Sequence, residues 1–398
     1  MSHADNVGNS GHSRVSVSFT AAIIVGDYLD STQGGGNKLD HRQVGLDDPA
    51  ALRKLDQDGM LDRLHEFPEE CGRALDMAKK FALPGIFRQV QKVVVLGMGG
   101  SAIGGDLVAS LAEAESPVPI QVYRGYHLPA YVDSRTLVVA SSYSGNTEET
   151  LSCFEQSFAR GALNLAITTG GRLLEVAQER KIPTFAYDYR SPPRAAFPYG
   201  FVSLLCFVQR LGFLKSVGAG IEDIPSLLRT YSKTIDENCS EPNNVAKQIA
   251  RLLQRKVAVI YGAELLSEVA HRWKTQINEN SKSWAFYEIL PEMNHNSVVG
   301  YEFPSDVKKD ISVITIESQF LSDRIRIRLE VVKRLLNTAG VAFKEVAGVG
   351  DTAIAHVMSL VLLGDYVSYY LAILNGTEPG PVRAIDYLKA ELGRTDLR

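Results

Sequence analysis

Short apolar runs alternate with amphipathic helical patterns along most of this chain. Residues 93–96, 120–122, 137–140, 163–167 and 184–186 read as strands, with helical patterns between most of them. Near-continuous apolar strands separated by helices predict a parallel sheet covered on both faces. After residue 245 the pattern returns. Residues 257–260, 311–316 and 342–346 read as strands, 322–338 as a helix with Ile325, Leu329 and Leu336 inward, and 353–374 as a long buried helix. Ahead of the first strand, Asp47-Asp48-Pro49 opens a helical stretch. Met60, Leu61, Leu64 and Phe67 follow at helical spacing, and Pro68 is expected to restart the helix through Leu75 and Phe81.

The expected fold class is therefore α/β, with two similar halves, each a parallel sheet flanked by helices. Residues 1–46, polar and rich in Gly, Ser, Asn and His, are expected to be a mobile N-terminal extension without the basic start of a signal peptide. Residues 47–212 hold N-terminal helices and the first half. Residues 213–245 form a connector, broken at Asp223-Ile224-Pro225 and Glu241-Pro242-Asn243-Asn244. Residues 246–378 form the second half, and 379–398 carry a final helix over 384–392.

Composition narrows the partners. A net charge of −4 over 398 residues gives no field for nucleic acid or an anionic membrane. No uninterrupted apolar run is long enough to span a bilayer, and 353–374 carries His356 and Asp365. The four cysteines are far apart and form no CxxC pair, which points to a reducing, cytoplasmic setting and against a thiolate metal site. The eight histidines are equally scattered. No metal and no cofactor is expected.

The most informative stretch is Ser141-Ser142-Tyr143-Ser144-Gly145-Asn146-Thr147, between a buried strand and a helix. A helix start has unpaired N–H groups and a partial positive charge, so it receives anions. Hydroxyls add donors without charge, which suits a phosphate monoester. A helix cap from Ser144 or Asn146 is an equally good account of the loop alone. The loop Gly97-Met98-Gly99-Gly100-Ser101-Ala102 also lies at a strand's C-terminal end, so the two can face one ligand. It matches a GxGxxA dinucleotide fingerprint, but the next strand ends Val122-Tyr123-Arg124-Gly125, without the carboxylate that would hold a ribose. Elsewhere, Arg194 follows Ser191-Pro192-Pro193 and is read as opening a helix. There it opposes the dipole, which suits an anion, although a solvated surface arginine fits as well. Glu279 lies between Asn278 and Asn280 late in a helix. His295 stands between Asn294 and Asn296, an arrangement suited to a fixed tautomer, and Lys389 lies on the last helix. Taken singly, these three read as a solvated helical carboxylate, a turn histidine and a surface lysine.

Together, in order, GMGGSAIGGD, SSYSGNTEET, SPPR, NEN, PEMNHN and AIDYLK resemble the bifunctional phosphoglucose/phosphomannose isomerases, a branch of the sugar-isomerase (SIS) domain proteins, over about residues 47–398. The resemblance implies two SIS subdomains of flavodoxin-like three-layer form and a homodimer with shared active sites. It implies a metal-free aldose–ketose isomerisation of a hexose 6-phosphate, glucose or mannose, to fructose 6-phosphate through a cis-enediol(ate). Gly100, Ser101, Ser142, Ser144 and Thr147 are then expected at the phosphate and Glu279 as the base between C1 and C2. Arg194 is expected at the enediolate, with His295, from the neighbouring subunit, and Lys389 at ring opening. The family carries a Thr just before the final helix, linked to acceptance of both C2 epimers. Here the segment reads Gly380-Pro381-Val382-Arg383, with Thr377 nearby but out of register. A non-catalytic SIS module that senses a sugar phosphate is the alternative, and Glu279, His295 and Lys389 would have no work in it.

Overall fold

The computed structural model describes residues 45–215 and 220–394. The expected extension lies outside the described residues except at its last two positions, where Leu46 is already buried. Helix α1 (Pro49–Leu55) starts with Pro49 in its first turn, capped by the Asp48 carboxylate, which accepts from the N–H groups of Ala50 and Ala51. Helix α2 (Met60–Lys80) runs straight through Pro68, against the expected restart. The proline removes one backbone bond. Met60, Leu61, Leu64, Phe67, Cys71, Ala74, Leu75 and Ala78 are all buried, and each large apolar side chain contributes about 1.5–3 kcal/mol. Packing of that face outweighs a proline cost of about 3 kcal/mol.

The first sheet is built from β1 (Lys92–Leu96), β2 (Ile120–Tyr123), β3 (Thr136–Ser142), β4 (Leu163–Thr168) and β5 (Thr184–Ala186). Its order is β2-β1-β3-β4-β5, all parallel. Side chains alternate across it. Val93, Val95, Leu137 and Val139 join the main core. Val94, Leu96, Val138 and Ala140 form a second core with Phe154 and Leu173 on the opposite face. Helices α3 (Gly99–Ala112), α4 (Glu148–Ala159), α5 (Gly171–Glu179) and α6 (Phe197–Arg210) connect and cover these strands. The expected connector holds a helix of its own, α7 (Ile224–Ser232), and α8 (Val245–Leu253) follows.

The second sheet repeats the order of the first four strands and has no counterpart of β5. It consists of β6 (Val257–Ala263), β7 (Ala285–Leu290), β8 (Ile311–Glu317) and β9 (Ala342–Ala347), in the parallel order β7-β6-β8-β9. Strand β7 is an addition to the sequence reading. It is an edge strand, and Phe286 is half exposed, so it lacks the apolar continuity of its neighbours. Between the strands lie α9 (Ser267–Ser281) and α10 (Asp323–Ala339), and after β9 come α11 (Ala353–Leu374) and the terminal α12 (Arg383–Arg394). Two parallel-sheet α/β halves thus stand as expected.

Helix α11 is long and apolar enough to cross a membrane, but its most apolar window is wholly buried within the protein. It packs on α2, α7, α8 and α9. Gly364 is the contact that sets its approach to α9, since a Cβ there would lie 2.4 Å from Trp273 Nε1, which donates to Leu360 O at 2.8 Å. Gly364→Ala should therefore destabilise the protein by about 1–3 kcal/mol through overpacking, read as a lower urea midpoint. An unchanged midpoint would mean that the contact has slack.

Candidate active site

Strands β1 and β3 are neighbours, and the helices that follow them, α3 and α4, begin side by side at the same edge of the sheet. No side chain caps either helix start. This answers the capping alternative. The Ser144 hydroxyl accepts the Asn146 N–H at 3.2 Å, and the Asn146 side chain accepts the N–H of Arg172 in α5 at 3.0 Å. The loop's polar side chains shape the loop and leave the first turn of α4 to other partners. Ser142 and Thr147 share a hydroxyl–hydroxyl bond of 3.0 Å, and Ser142 Oγ also accepts the Gly145 N–H at 3.1 Å. Gly145 has φ +67, and a Cβ there would fall 1.8 Å from Gly170 O, so no other residue fits this turn.

The glycine loop joins the hydroxyl loop directly. Ser101 Oγ accepts the Tyr143 N–H at 3.1 Å. The Tyr143 hydroxyl then donates to Tyr189 O at 3.0 Å and accepts the Ser191 N–H at 3.0 Å, which pins the segment leading to Arg194. A Cβ on Gly100 would lie 3.1 Å from Arg194 Cα and 3.2 Å from Pro193 O. The missing side chain is what admits the Arg194 backbone to this corner. Arg194 lies in a turn three residues before α6 and not at its start, so the expected opposition to a helix dipole does not arise.

The Arg194 side chain is 2% exposed. Its Nε donates to Asn280 Oδ1 at 2.6 Å, and Nη2 donates to Pro379 O at 2.8 Å and Gly380 O at 2.6 Å. Its Nη1 faces Glu279 Oε2 at 3.5 Å. Burial pulls the guanidinium below its usual value, and the Glu279 carboxylate pulls it back. The two asparagines of the NEN run hold the helix end on either side of the acid. Asn278 donates to Ser283 O at 2.8 Å, and Asn280 donates to Ser368 Oγ at 2.9 Å. Glu279, between them, keeps a quarter of its side chain exposed.

Behind Arg194 lies a second buried cation. Arg272 pairs with Asp365 at 2.7 Å, reaches Arg194 O at 3.3 Å and lies 4.1 Å over the Phe197 ring. Asp365 also accepts from Gln276 at 2.8 Å. Sequence reasoning assigned no role to Tyr143, Asn280, Arg272 or Asp365. Tyr143 and Asn280 stood within motifs already singled out, whereas Arg272 and Asp365 make contacts across 78 to 93 residues that no local pattern announces.

Gly100, Ser101, Ser142, Thr147, Arg194 and Glu279 are thus linked through one set of contacts, with Ser144 exposed at its rim. His295 and Lys389 are not brought in. Both are exposed, and among the described residues neither has a hydrogen bond or ion pair to Glu279. The asparagines beside His295 do not orient it, against expectation. Asn294 accepts from Arg328 at 3.2 Å, while Asn296 donates to Glu292 at 2.9 Å and accepts the Ser297 N–H at 2.6 Å. Successive side chains of a tight 3-10 turn point in different directions.

Three further carboxylates lie near the sheet corners. Asp106, Glu268 and His271 come within 4.8 Å of one another beyond this corner, but Arg124 already pairs with Asp106, and His271 bonds Glu268 at 2.9 Å. At the corner of the second sheet that corresponds to the hydroxyl loop, Glu264 accepts the Ser322 N–H at 2.8 Å and its hydroxyl at 2.6 Å. There a carboxylate of the protein itself is bonded to the residue that precedes α10.

A family model described as the bacterial phospho-glucose isomerase C-terminal SIS domain matches residues 242–392. A bifunctional phosphoglucose/phosphomannose isomerase of Caldicellulosiruptor bescii is 38% identical over 334 residues, 84% of this chain and 98% of the relative. One of Aquifex aeolicus is 37% identical, covering 75% of this chain and 90% of that protein. Among solved structures, a putative phosphosugar isomerase of Clostridium difficile superposes with a TM-score of 0.64 at 13% identity, over 85% of this chain and 99% of that one.

Asn280→Ala would leave the Arg194 Nε without its partner. The expected cost is about 1–3 kcal/mol for an unsatisfied buried donor, measured by chemical denaturation. An unchanged stability would show that Asn280 does not anchor the guanidinium.

Proposed function

The chain belongs to the family of bifunctional phosphoglucose/phosphomannose isomerases, and on that footing we propose that it interconverts glucose 6-phosphate and mannose 6-phosphate with fructose 6-phosphate through a cis-enediol(ate). The observation that carries this reading is the apposition of Glu279 to Arg194 at 3.5 Å, beside two uncapped helix starts. Aldose–ketose isomerisation removes a proton α to a carbonyl and returns it one carbon away. A carboxylate can do both, as base and then as conjugate acid. Glu279, held by its flanking asparagines yet partly exposed, suits that exchange. The enediolate develops negative charge, and a fixed cation beside its oxygen lowers the barrier. Arg194 suits that role, because its other nitrogens are committed to the protein and its charge survives at every working pH.

Gly100, Ser101, Ser142, Ser144 and Thr147, with the N–H groups of the α3 and α4 starts, would hold the phosphate. That remote binding would fix C1 and C2 beside Glu279. The reaction as written calls on no metal or cofactor, since every proton transfer has a side chain to serve it.

Ring opening needs proton transfers at O1 and the ring oxygen, and His295 and Lys389 are the groups proposed for them. Within one chain neither reaches Glu279. We infer a homodimer in which His295 serves the neighbouring subunit. Trp284, Phe286, Val299 and Phe303, in the same stretch as His295, are more than half exposed. The final helix turns Ile385, Leu388 and Leu392 outward. Large exposed apolar side chains of this kind mark an association surface.

The test is NMR in heavy water, with chelator present and each aldose phosphate supplied separately. Fructose 6-phosphate formation is expected, with deuterium entering at C1 of the ketose and, on the return reaction, at C2 of the aldose. Phosphate binding without turnover would instead favour a sugar-phosphate sensor. Glu279→Gln should lower kcat by about 10²–10⁴-fold with the circular dichroism spectrum retained, and retained turnover would sink the assignment of the base. Mixing inactive Glu279→Gln and His295→Ala chains should restore part of the lost turnover, because mixed dimers keep one intact site. No restoration would rule out a site shared across subunits.

A further inference from the structure

Lys282 ends helix α9 three residues beyond Glu279. Its backbone is left-handed, φ 54 and ψ 30, a conformation that glycine adopts freely at helix ends and that a lysine adopts only at a steric cost. Such outliers persist where the surroundings over-determine them. Here the side chain supplies the reason. Its stem is exposed, but the ammonium donates to Asn280 O at 3.2 Å, Glu378 O at 2.7 Å and Pro379 O at 3.1 Å. Those three bonds use all of its donors. Pro379 O is also a partner of Arg194, whose Nη2 goes on to Gly380 O. Two cations from different parts of the chain thus grip three consecutive carbonyls, and neither spends a carboxylate on the task.

The gripped segment is the stem of α12. That helix leaves Ile385, Leu388 and Leu392 exposed, so burial of an apolar face does little to hold it within the chain. Its attitude depends on the stem. We propose that Lys282 is a positioning residue: together with Arg194 it clamps residues 378–380 and so sets where α12, and with it Lys389, stands relative to Glu279. This rests on the isomerase reading above for the roles of Glu279 and Lys389, but the clamp itself does not depend on that reading.

The clamp has a pH signature. Partial burial and the neighbouring Arg194 pull the Lys282 ammonium down to about 8, with Arg383 acting in the same direction and Glu378 and Glu279 against it. The folded pKa lies below the ordinary lysine value, so the charge is present below about pH 8 and is lost as pH rises through it. A guanidinium at this position would stay charged.

The experiment compares the full-length protein with Lys282→Met, Lys282→Gly and Lys282→Arg. Turnover of glucose 6-phosphate is followed between neutral and alkaline pH, and hydrogen exchange over residues 381–392. Lys282→Met should lose about 10–100-fold in kcat, the size of effect expected from misplacing a reacting group by about 1 Å, with KM little changed. Lys282→Gly relieves the left-handed strain and should lose kcat equally. Both should exchange faster over 381–392. Lys282→Arg should recover most of the rate and lack the alkaline decline expected of the natural protein above about pH 8. Unchanged exchange in Lys282→Met overturns the clamp. Faster exchange with unchanged kcat overturns its bearing on the reaction, as does a rate that Lys282→Arg fails to rescue. Should the natural protein turn over no hexose phosphate, the isomerase reading fails and the exchange comparison alone decides the clamp.

Discussion

A guanidinium taken almost wholly out of water must have its donors answered, and at Arg194 the answers come from two distant parts of the chain. Asn280 and the partly exposed Glu279 belong to α9, and Pro379 and Gly380 to the stem of α12. Gly100 lets the Arg194 backbone reach this corner without crowding, because a Cβ there would stand only 3.1 Å from Arg194 Cα. Truncating a buried charged partner costs far more than the pair gains, since the remaining charge is stranded. The geometry is therefore hard to alter piecemeal, and the parts that meet at Arg194 are held in one arrangement.

The same logic extends one layer deeper. Arg272 and Asp365 are both buried and bonded to each other, with Gln276 sharing the carboxylate. Ser368, one turn further along α11, donates to Asp365 O and accepts from Asn280. A hydrophobic core of equal volume would hold α9 and α11 together at no smaller gain, but it would not fix the rotation of Asn280. The long apolar helix α11 thus serves two ends. It fills the centre of the molecule, and its few polar residues aim the residues of α9.

Much of the fold was legible because buried parallel strands leave continuous apolar runs, as at 93–96 and 137–140, and because 353–374 is apolar on every side. Pro68 misled, since the energy that keeps α2 intact comes from residues packed against it and not from the helix itself. Strand β7 escaped notice because an edge position leaves Phe286 and its neighbours only partly buried, without the run that marks β6 or β8. At the site, residue types and spacing pointed to Glu279 and Arg194 individually. Their apposition, 85 positions apart in the chain, depends on how the two halves pack. The asparagines flanking His295 looked like orienting partners and proved to bond elsewhere, since adjacency in sequence says little about direction in a 3-10 turn. Lys282 carried no signal at all, because a left-handed lysine cannot be read from residue identity.

The repeated sheets share strand order, yet their corners are chemically unequal. At the first, the starts of α3 and α4 leave donors uncommitted. At the second, the Glu264 carboxylate takes both the N–H and the hydroxyl of Ser322. An incoming anion there would meet a negative charge already bonded to the residue that precedes α10. Under the proposed reading, a chain built on a twofold plan would seat one phosphate and not two, and the ratio of ligand to protein would follow the number of chains and not the number of sheets.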